Sequence, residues 1–208
     1  MYTPASFAVD DETAAAFLAS IEVADLVTVT DGGLMATFLP LIFDSGRGEH
    51  GALLGHLARN NDQWKRPVLG DALVIAHGED AYVTPSWYAT KLEHGRVVPT
   101  WNYTTAHVYG QLQIHDDPAW VEALVRRLTE RHESRRAKPW SVDDMPEKFR
   151  EGQLRAIVGL ELLVSRTEVK YKLSQNRSEA DIDGVIAGLT SDGLTHVADA
   201  VRRARSVT

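Results

Sequence analysis

The sequence predicts an α+β fold with a mainly β core: an antiparallel barrel with helices at its periphery. Three observations predict it. Six segments rich in β-branched and aliphatic residues fall between turn residues. Two of them flank Asp31-Gly32-Gly33, the strongest short-range hairpin signal in the chain. Helical segments are inserted or appended rather than alternating one-for-one with strands, which disfavours a parallel α/β sheet.

The elements follow in order. Asp10 or Asp11 caps a short helix through Ser20, with Phe17, Leu18 and Ile21 on its apolar side. Asp25–Thr30 and Leu34–Phe43 form the hairpin strands. Ala52–Leu57 is a third strand and Ala72–His77 a fourth, and Arg59–Trp64 between them fits one helical turn. Thr105–Ile114 alternates apolar and polar residues and is a fifth strand. Pro118 opens a helix at a position where a missing N–H costs nothing, and that helix runs to about Glu133 with Val121, Leu124, Val125 and Leu128 on one face. Ala156–Ser165 is the sixth strand. Ser178–Leu189 and Leu194–Ala204 close the chain as helices, and one domain over residues 1–208 with a helical segment from about 178 to 208 is expected.

Composition narrows the function. A chain of 208 residues, 44% hydrophobic and 25% charged, buries a core without staples. It has no cysteine, which removes disulfides, thiol nucleophiles, thiolate zinc sites and iron–sulfur clusters. A net charge of -7 disfavours a dedicated nucleic-acid binder. No run is long and apolar enough to span a membrane, and the start of the chain lacks the basic region of an export signal, so a cytoplasmic address is expected. The eight histidines, at 50, 56, 77, 94, 107, 115, 132 and 196, form neither HExxH nor a His-x-His pair. No GxSxG, GxGxxG or Walker sequence is present.

Three segments carry chemistry. Residues 82–109 hold Tyr82, Trp87, Tyr88, Trp101, Tyr103 and Tyr109, six of the chain's eleven tryptophans and tyrosines, punctuated by Pro85 and Pro99. Read as a loop, this segment offers flat aromatic faces to a planar heterocycle, or simply covers a barrel end. In Gly55–Trp64, a strand delivers His56, and Arg59, Asn60 and Asn61 arrive where a helical turn begins. That is a phosphate cradle or an ordinary strand exit. Lys172, Ser174, Gln175, Asn176 and Arg177 form a dense donor run after the last strand, either a site or a solvated turn. The basic stretch 126–138 reads as a solvated helix face, because Glu130 and Glu133 interrupt it.

Several of these motifs, in this order, resemble one family. MYTP at the start, GHLARNN at 55–61, TPSWY at 84–88, VPTWNY at 98–103, ERHE at 130–133, AIVGLEL at 156–162 and KLSQNR at 172–177 are similar to the PaiB-type FMN-binding proteins, a family also labelled a negative transcriptional regulator. The resemblance implies the split β-barrel of flavin reductases and pyridoxamine-phosphate oxidases, and a homodimer with FMN between subunits. It implies that His56, Arg59 and Asn60 approach the FMN phosphate. It also implies that Ser86, Trp87, Thr100, Trp101, Asn102, Tyr103, Lys172, Ser174, Gln175, Asn176 and Arg177 line the rest of the cofactor. No metal is implied, and no catalytic acid or base is nominated; His56, His94 and His107 are candidates by type alone.

Three functions compete on this reading. The first is an FMN-dependent redox protein, with oxidoreductase capability. The second is a regulator acting through a partner or DNA, implied by the family label although the charge argues against direct DNA contact. The third is a haem-binding or haem-degrading barrel, which needs an axial ligand.

Overall fold

The structure, a computed structural model, describes residues 1–205. The last three residues of the expected helical segment, 206–208, lie outside the described residues.

Six strands close into a barrel: β1 (Val23–Thr30), β2 (Gly33–Asp44), β3 (Ala52–Ala58), β4 (Ala72–Val83), β5 (Thr100–His115) and β6 (Ile157–Lys172). Their order around the barrel is β1-β2-β3-β6-β5-β4. The expected hairpin is there. Thr30 pairs with Gly33, and Gly33 takes φ +102°, a conformation that an L side chain rarely adopts. The Thr30 hydroxyl accepts from Gly32 N (3.2 Å) and donates to the Gly33 carbonyl (3.0 Å), closing the turn.

Strand alternation sorts the hairpin into two faces. Ala24, Leu26 and Thr28 pair with Leu39, Thr37 and Met35 on the inner side. Val23, Asp25, Val27 and Val29 pair with Pro40, Phe38, Ala36 and Leu34 on the outer side. β4 extends that outer face with Leu73 opposite Val27 and Ile75 opposite Asp25.

The chain divides into two compact units. The first comprises Met1–Ala14, His77–Ala106 and the chain from Glu168 onward; the second comprises Ala15–Ala76 and His107–Thr167. In the first unit, helices α5 (Glu179–Ser191) and α6 (Thr195–Arg205) supply Ile182, Val185, Leu189, Val197 and Val201 to a core shared with Val83, Tyr88 and Leu173. Each such aliphatic side chain stabilises by roughly 1.5–3 kcal/mol when fully buried. Ser178 caps α5, its hydroxyl accepting from Asp181 N at 3.3 Å. In the second unit, helix α3 (Pro118–Glu133) is capped by Asp117, which accepts from Ala119 N at 3.2 Å. Its Leu124 and Leu128 pack on Ile42, Ala52 and Leu54.

Several expectations are corrected. β4, β5 and β6 run well past the apolar stretches that announced them, because ladder pairing carries polar residues such as Glu79, Asp80, Asn102 and Lys170 into strand. The aromatic segment 82–109 is therefore no loop: Tyr82 lies on β4, and Trp101, Tyr103 and Tyr109 lie on β5. Between them sit a 3-10 turn with Trp87 and helix α2 (Thr90–His94). The helical turn expected from Arg59 begins only at Asp62, after Asn61 as its cap. Helix α4 (Glu147–Arg155) was hidden by its charged, stripe-less sequence.

Candidate functional site

In the second unit, β3 places His56 on the same side as Ala52 and Leu54, the side that α3 covers. His56 pairs with Gly159, where a Cβ would lie 2.1 Å from the Trp120 ring. His56 Nδ1 is buried without a hydrogen-bond partner, and burial pushes the imidazole pKa below its ordinary value. Trp120 stacks on His115, with centroids 4.0 Å apart and planes 8° from parallel. Buried Glu161 lies 2.8 Å from His115 Nε2 and accepts from Arg47 Nη1 at 2.9 Å. This group of side chains was not anticipated from sequence, because its members come from four separate segments.

Arg59 is turned to the protein. Nε donates to the Arg155 carbonyl at 2.6 Å, Nη2 to the Ile157 carbonyl at 3.1 Å, and both terminal nitrogens to Asp116. Four of its five N–H donors are thereby engaged. Asn60 is exposed at the end of this strand exit.

The residues that follow build a wall. Asn61 accepts from Gln63 N at 2.9 Å and donates to Thr37 Oγ1 at 2.9 Å. Thr37 in turn donates to Gln63 Oε1 at 2.6 Å. Gln63, 1% exposed, donates to the Leu26 carbonyl and Thr28 Oγ1. With Gln63 so fixed, Trp64 Nε1 donates to the Arg59 carbonyl at 3.0 Å. Trp64 then lines a cleft of about 600 Å³ with Lys65, Arg66, Gly70, Asp71 and, from β5, Gln111, Leu112 and Ile114. Lys65 meets Asp62 at 2.9 Å and Arg66 meets Asp31 at 3.6 Å, both surface pairs of little strength. The cleft was not anticipated from sequence, although it begins two residues after the GHLARNN motif.

This cleft fits a flavin mononucleotide. Its volume is within the range of small-molecule sites, it presents a flat indole and an amide, and two loosely held cations suit a phosphate.

In the first unit, the structure brings together most of the remaining candidates. Lys172 Nζ donates to Thr100 Oγ1 at 2.5 Å and to the Trp101 carbonyl. It lies 5.8 Å from the Tyr103 ring. Asn102 and Ser174, both buried, hydrogen-bond through amide and hydroxyl at 3.0 Å. Ser174 takes φ +69°, the one non-glycine residue with positive φ among the described residues. Gln175 is turned back on its own strand end, accepting from Leu173 N and donating to the Tyr171 carbonyl, each at 2.7 Å. Arg177 lies over the Tyr88 ring at 4.6 Å, and Asn176 is exposed. Ser86 accepts from Lys91 Nζ at 3.2 Å. Trp87 packs where α5 has Gly184 and Gly188.

Among the described residues no group of three or more His, Asp or Glu could hold a metal ion, and no helix is long and apolar enough to cross a membrane.

Comparison with known proteins completes the picture. Residues 1–166 match the family described as "Putative FMN-binding domain". The chain is 35% identical over 194 residues to the protease synthase and sporulation protein PAI 2 of Bacillus subtilis, covering 92% of this chain and 90% of that one. It is 31% identical over 192 residues to an uncharacterised protein of Emericella nidulans, covering 77% and 76%. Among solved structures, a hypothetical protein of Mycobacterium tuberculosis superposes with a TM-score of 0.57 at 12% identity, over 86% of this chain and 95% of that one. The flavocytochrome Anf3 of Azotobacter vinelandii gives 0.54 at 16%, over 84% and 73%. These structural likenesses are likenesses of fold, the split β-barrel.

Proposed function

The chain belongs to this family of FMN-binding domains, and from that premise we propose that it holds FMN in the cleft of the second unit and serves as a flavin-dependent redox protein. The observation that carries the placement is the pairing of the Trp64 indole with two weakly paired cations, Lys65 and Arg66, around one cleft. Bound FMN supplies one- and two-electron transfer. The chain's own residues bind and orient it. Lys65 and Arg66 attract the phosphate, Trp64 offers its face to the ring, and Gln111 presents an amide to polar edges. The GHLARNN motif acts behind this wall: Arg59, Asn61 and Gln63 fix Trp64 rather than touching the cofactor. Asn60, exposed beside the wall, has its side chain available.

The same proposal includes a homodimer. It is supported by the outer face of β1, β2 and β4, where Val29, Leu34 and Phe38 are 42%, 75% and 65% exposed and Leu69 hydrogen-bonds alongside Val29. A contiguous apolar sheet face suits a second copy of the chain. A cytoplasmic address accords with the absence of cysteine.

A second reading, regulation exerted through a partner that senses the flavin, draws on the name of the Bacillus subtilis relative, which speaks of protease synthesis and sporulation.

The test is a titration of the purified protein with FMN and with riboflavin, following flavin fluorescence. The expected result is saturable FMN binding that weakens in Arg66→Ala, with riboflavin binding weaker and insensitive to that change. Equal affinities of the two flavins for the unmodified protein would remove the phosphate from this cleft.

A further inference from the structure

The cleft of the second unit is lined by charge of both signs. Its cations, Lys65 and Arg66, each stand beside a carboxylate, Asp62 at 2.9 Å and Asp31 at 3.6 Å. The carboxylate in its lining, Asp71, has no such balance. Among the described residues no lysine, arginine or histidine pairs with it.

What Asp71 has is a hydroxyl that fixes its direction. It stands just before β4, and its Oδ2 accepts from Ser165 Oγ of β6 at 3.0 Å. In the barrel β5 lies between those two strands, so the contact reaches across it. Ser165 Oγ is also 3.2 Å from the Tyr109 carbonyl of β5. A serine hydroxyl has one proton to give, and here two acceptors share it. Asp71 is thus held in place while most of its roughly four acceptor sites stay open. The same cleft holds the Trp64 indole and the Gln111 amide.

On the reading that FMN occupies this cleft, we propose that Asp71 accepts a hydrogen bond from the imide N–H of the flavin ring and, by its charge, holds the bound flavin at a lowered reduction potential. A carboxylate with open acceptor sites calls for a donor, and the imide N–H is the one N–H donor of the oxidised ring. Lys65 and Arg66 are answered by the phosphate, which leaves Asp71 as the uncompensated charge toward the ring. When the ring takes two electrons from a reductant and one proton from water, it becomes an anion at neutral pH. A fixed carboxylate beside it disfavours that form against the neutral oxidised one.

Titration of the full-length, flavin-free protein with FMN and with its N-methylimide analogue, in which methyl replaces the imide proton, tests the hydrogen bond without any variant. The analogue should bind at least about tenfold more weakly than FMN. Asp71→Ala should bring FMN down to the affinity of the analogue. Asp71→Asn, whose amide oxygen still accepts, should keep most of the affinity for FMN. The potential of the bound flavin, measured by dithionite reduction against a reference dye, reads the charge. Asp71→Asn should shift the balance toward reduced flavin by about tenfold, which for two electrons is a rise of about 30 mV. Equal affinity for FMN and the analogue, or a potential unmoved in Asp71→Asn, would overturn the proposal even where Arg66→Ala still weakens FMN. FMN binding that ignores Arg66→Ala, or no FMN binding at all, would overturn the placement in the cleft and this proposal with it.

Discussion

The Arg59 guanidinium and the Asp116 carboxylate face each other across two parallel hydrogen bonds, Nη1 to Oδ2 at 3.0 Å and Nη2 to Oδ1 at 2.5 Å. The fork that a phosphate would need is thus matched to a carboxylate of the protein itself. Arg59→Ala should lower the melting temperature and weaken FMN and riboflavin in the same proportion. Arg66→Ala should spare stability and weaken FMN alone. The hydrogen bonds from Arg59 hold the Asp116 pKa below its ordinary value. The pair therefore contributes above the unfolded carboxylate pKa near 3.8, and its contribution disappears as pH falls through the lower folded value. Thermal melts of the unmodified protein and of Arg59→Ala at pH 7 and pH 3 should converge at the acid end.

His56 should titrate below 6.5, because burial disfavours its cation. As pH falls below that value the unfolded chain takes up the proton first, so the stability that neutral His56 contributes is lost as pH drops through its folded pKa. The Cε1 proton shift of His56 against pH measures this directly. A midpoint at or above 6.5 would show the ring to be solvated.

Gly184 and Gly188 leave room for Trp87. A Cβ at Gly184 would lie 1.9 Å from the Trp87 carbonyl oxygen, and one at Gly188 would lie 2.2 Å from ring carbons. Gly184→Ala meets backbone and Gly188→Ala meets a side chain that has some freedom. Both should destabilise, by about 1–3 kcal/mol for overpacking, with Gly184→Ala the worse. Urea denaturation of the two variants gives the order.

The outer face of β1 and β2 pairs Val29 with Leu34 and Asp25 with Phe38. Light scattering should give a dimer for the unmodified protein. Leu34→Arg combined with Phe38→Arg should give a folded monomer, since both side chains point away from the barrel interior. A dimer that survives both changes would place the interface elsewhere.

How far the sequence could be read depended on whether the deciding contacts were local. The hairpin was legible because Asp31-Gly32-Gly33 sits between two β-branched runs, and α3 because Asp117-Pro118 precedes Val121, Leu124 and Leu128 at helical spacing. The far halves of β4 and β6 and the first residues of β5 were not, because they are largely polar and are held as strands by neighbours distant in sequence. The site divides in the same way. GHLARNN and KLSQNR were recognisable as unusual, but the role of Arg59 depends on Asp116, 57 residues away, and that of Lys172 on Thr100, 72 residues away. The apolar outer face was also missed, because an alternating strand with both faces apolar looks in sequence like an ordinary buried strand.

FMN bound through its phosphate at the Trp64–Arg66 cleft is what we propose for this chain. The most direct test is a fluorescence titration of the flavin-free protein with FMN, repeated on Arg66→Ala and Arg59→Ala, with riboflavin in parallel. Saturation at one FMN per chain is expected, with a loss of roughly tenfold in affinity for Arg66→Ala that riboflavin does not share, and a loss common to both flavins for Arg59→Ala. Flavin fluorescence unchanged at every protein concentration, or a loss specific to FMN in Arg59→Ala and absent in Arg66→Ala, would contradict it.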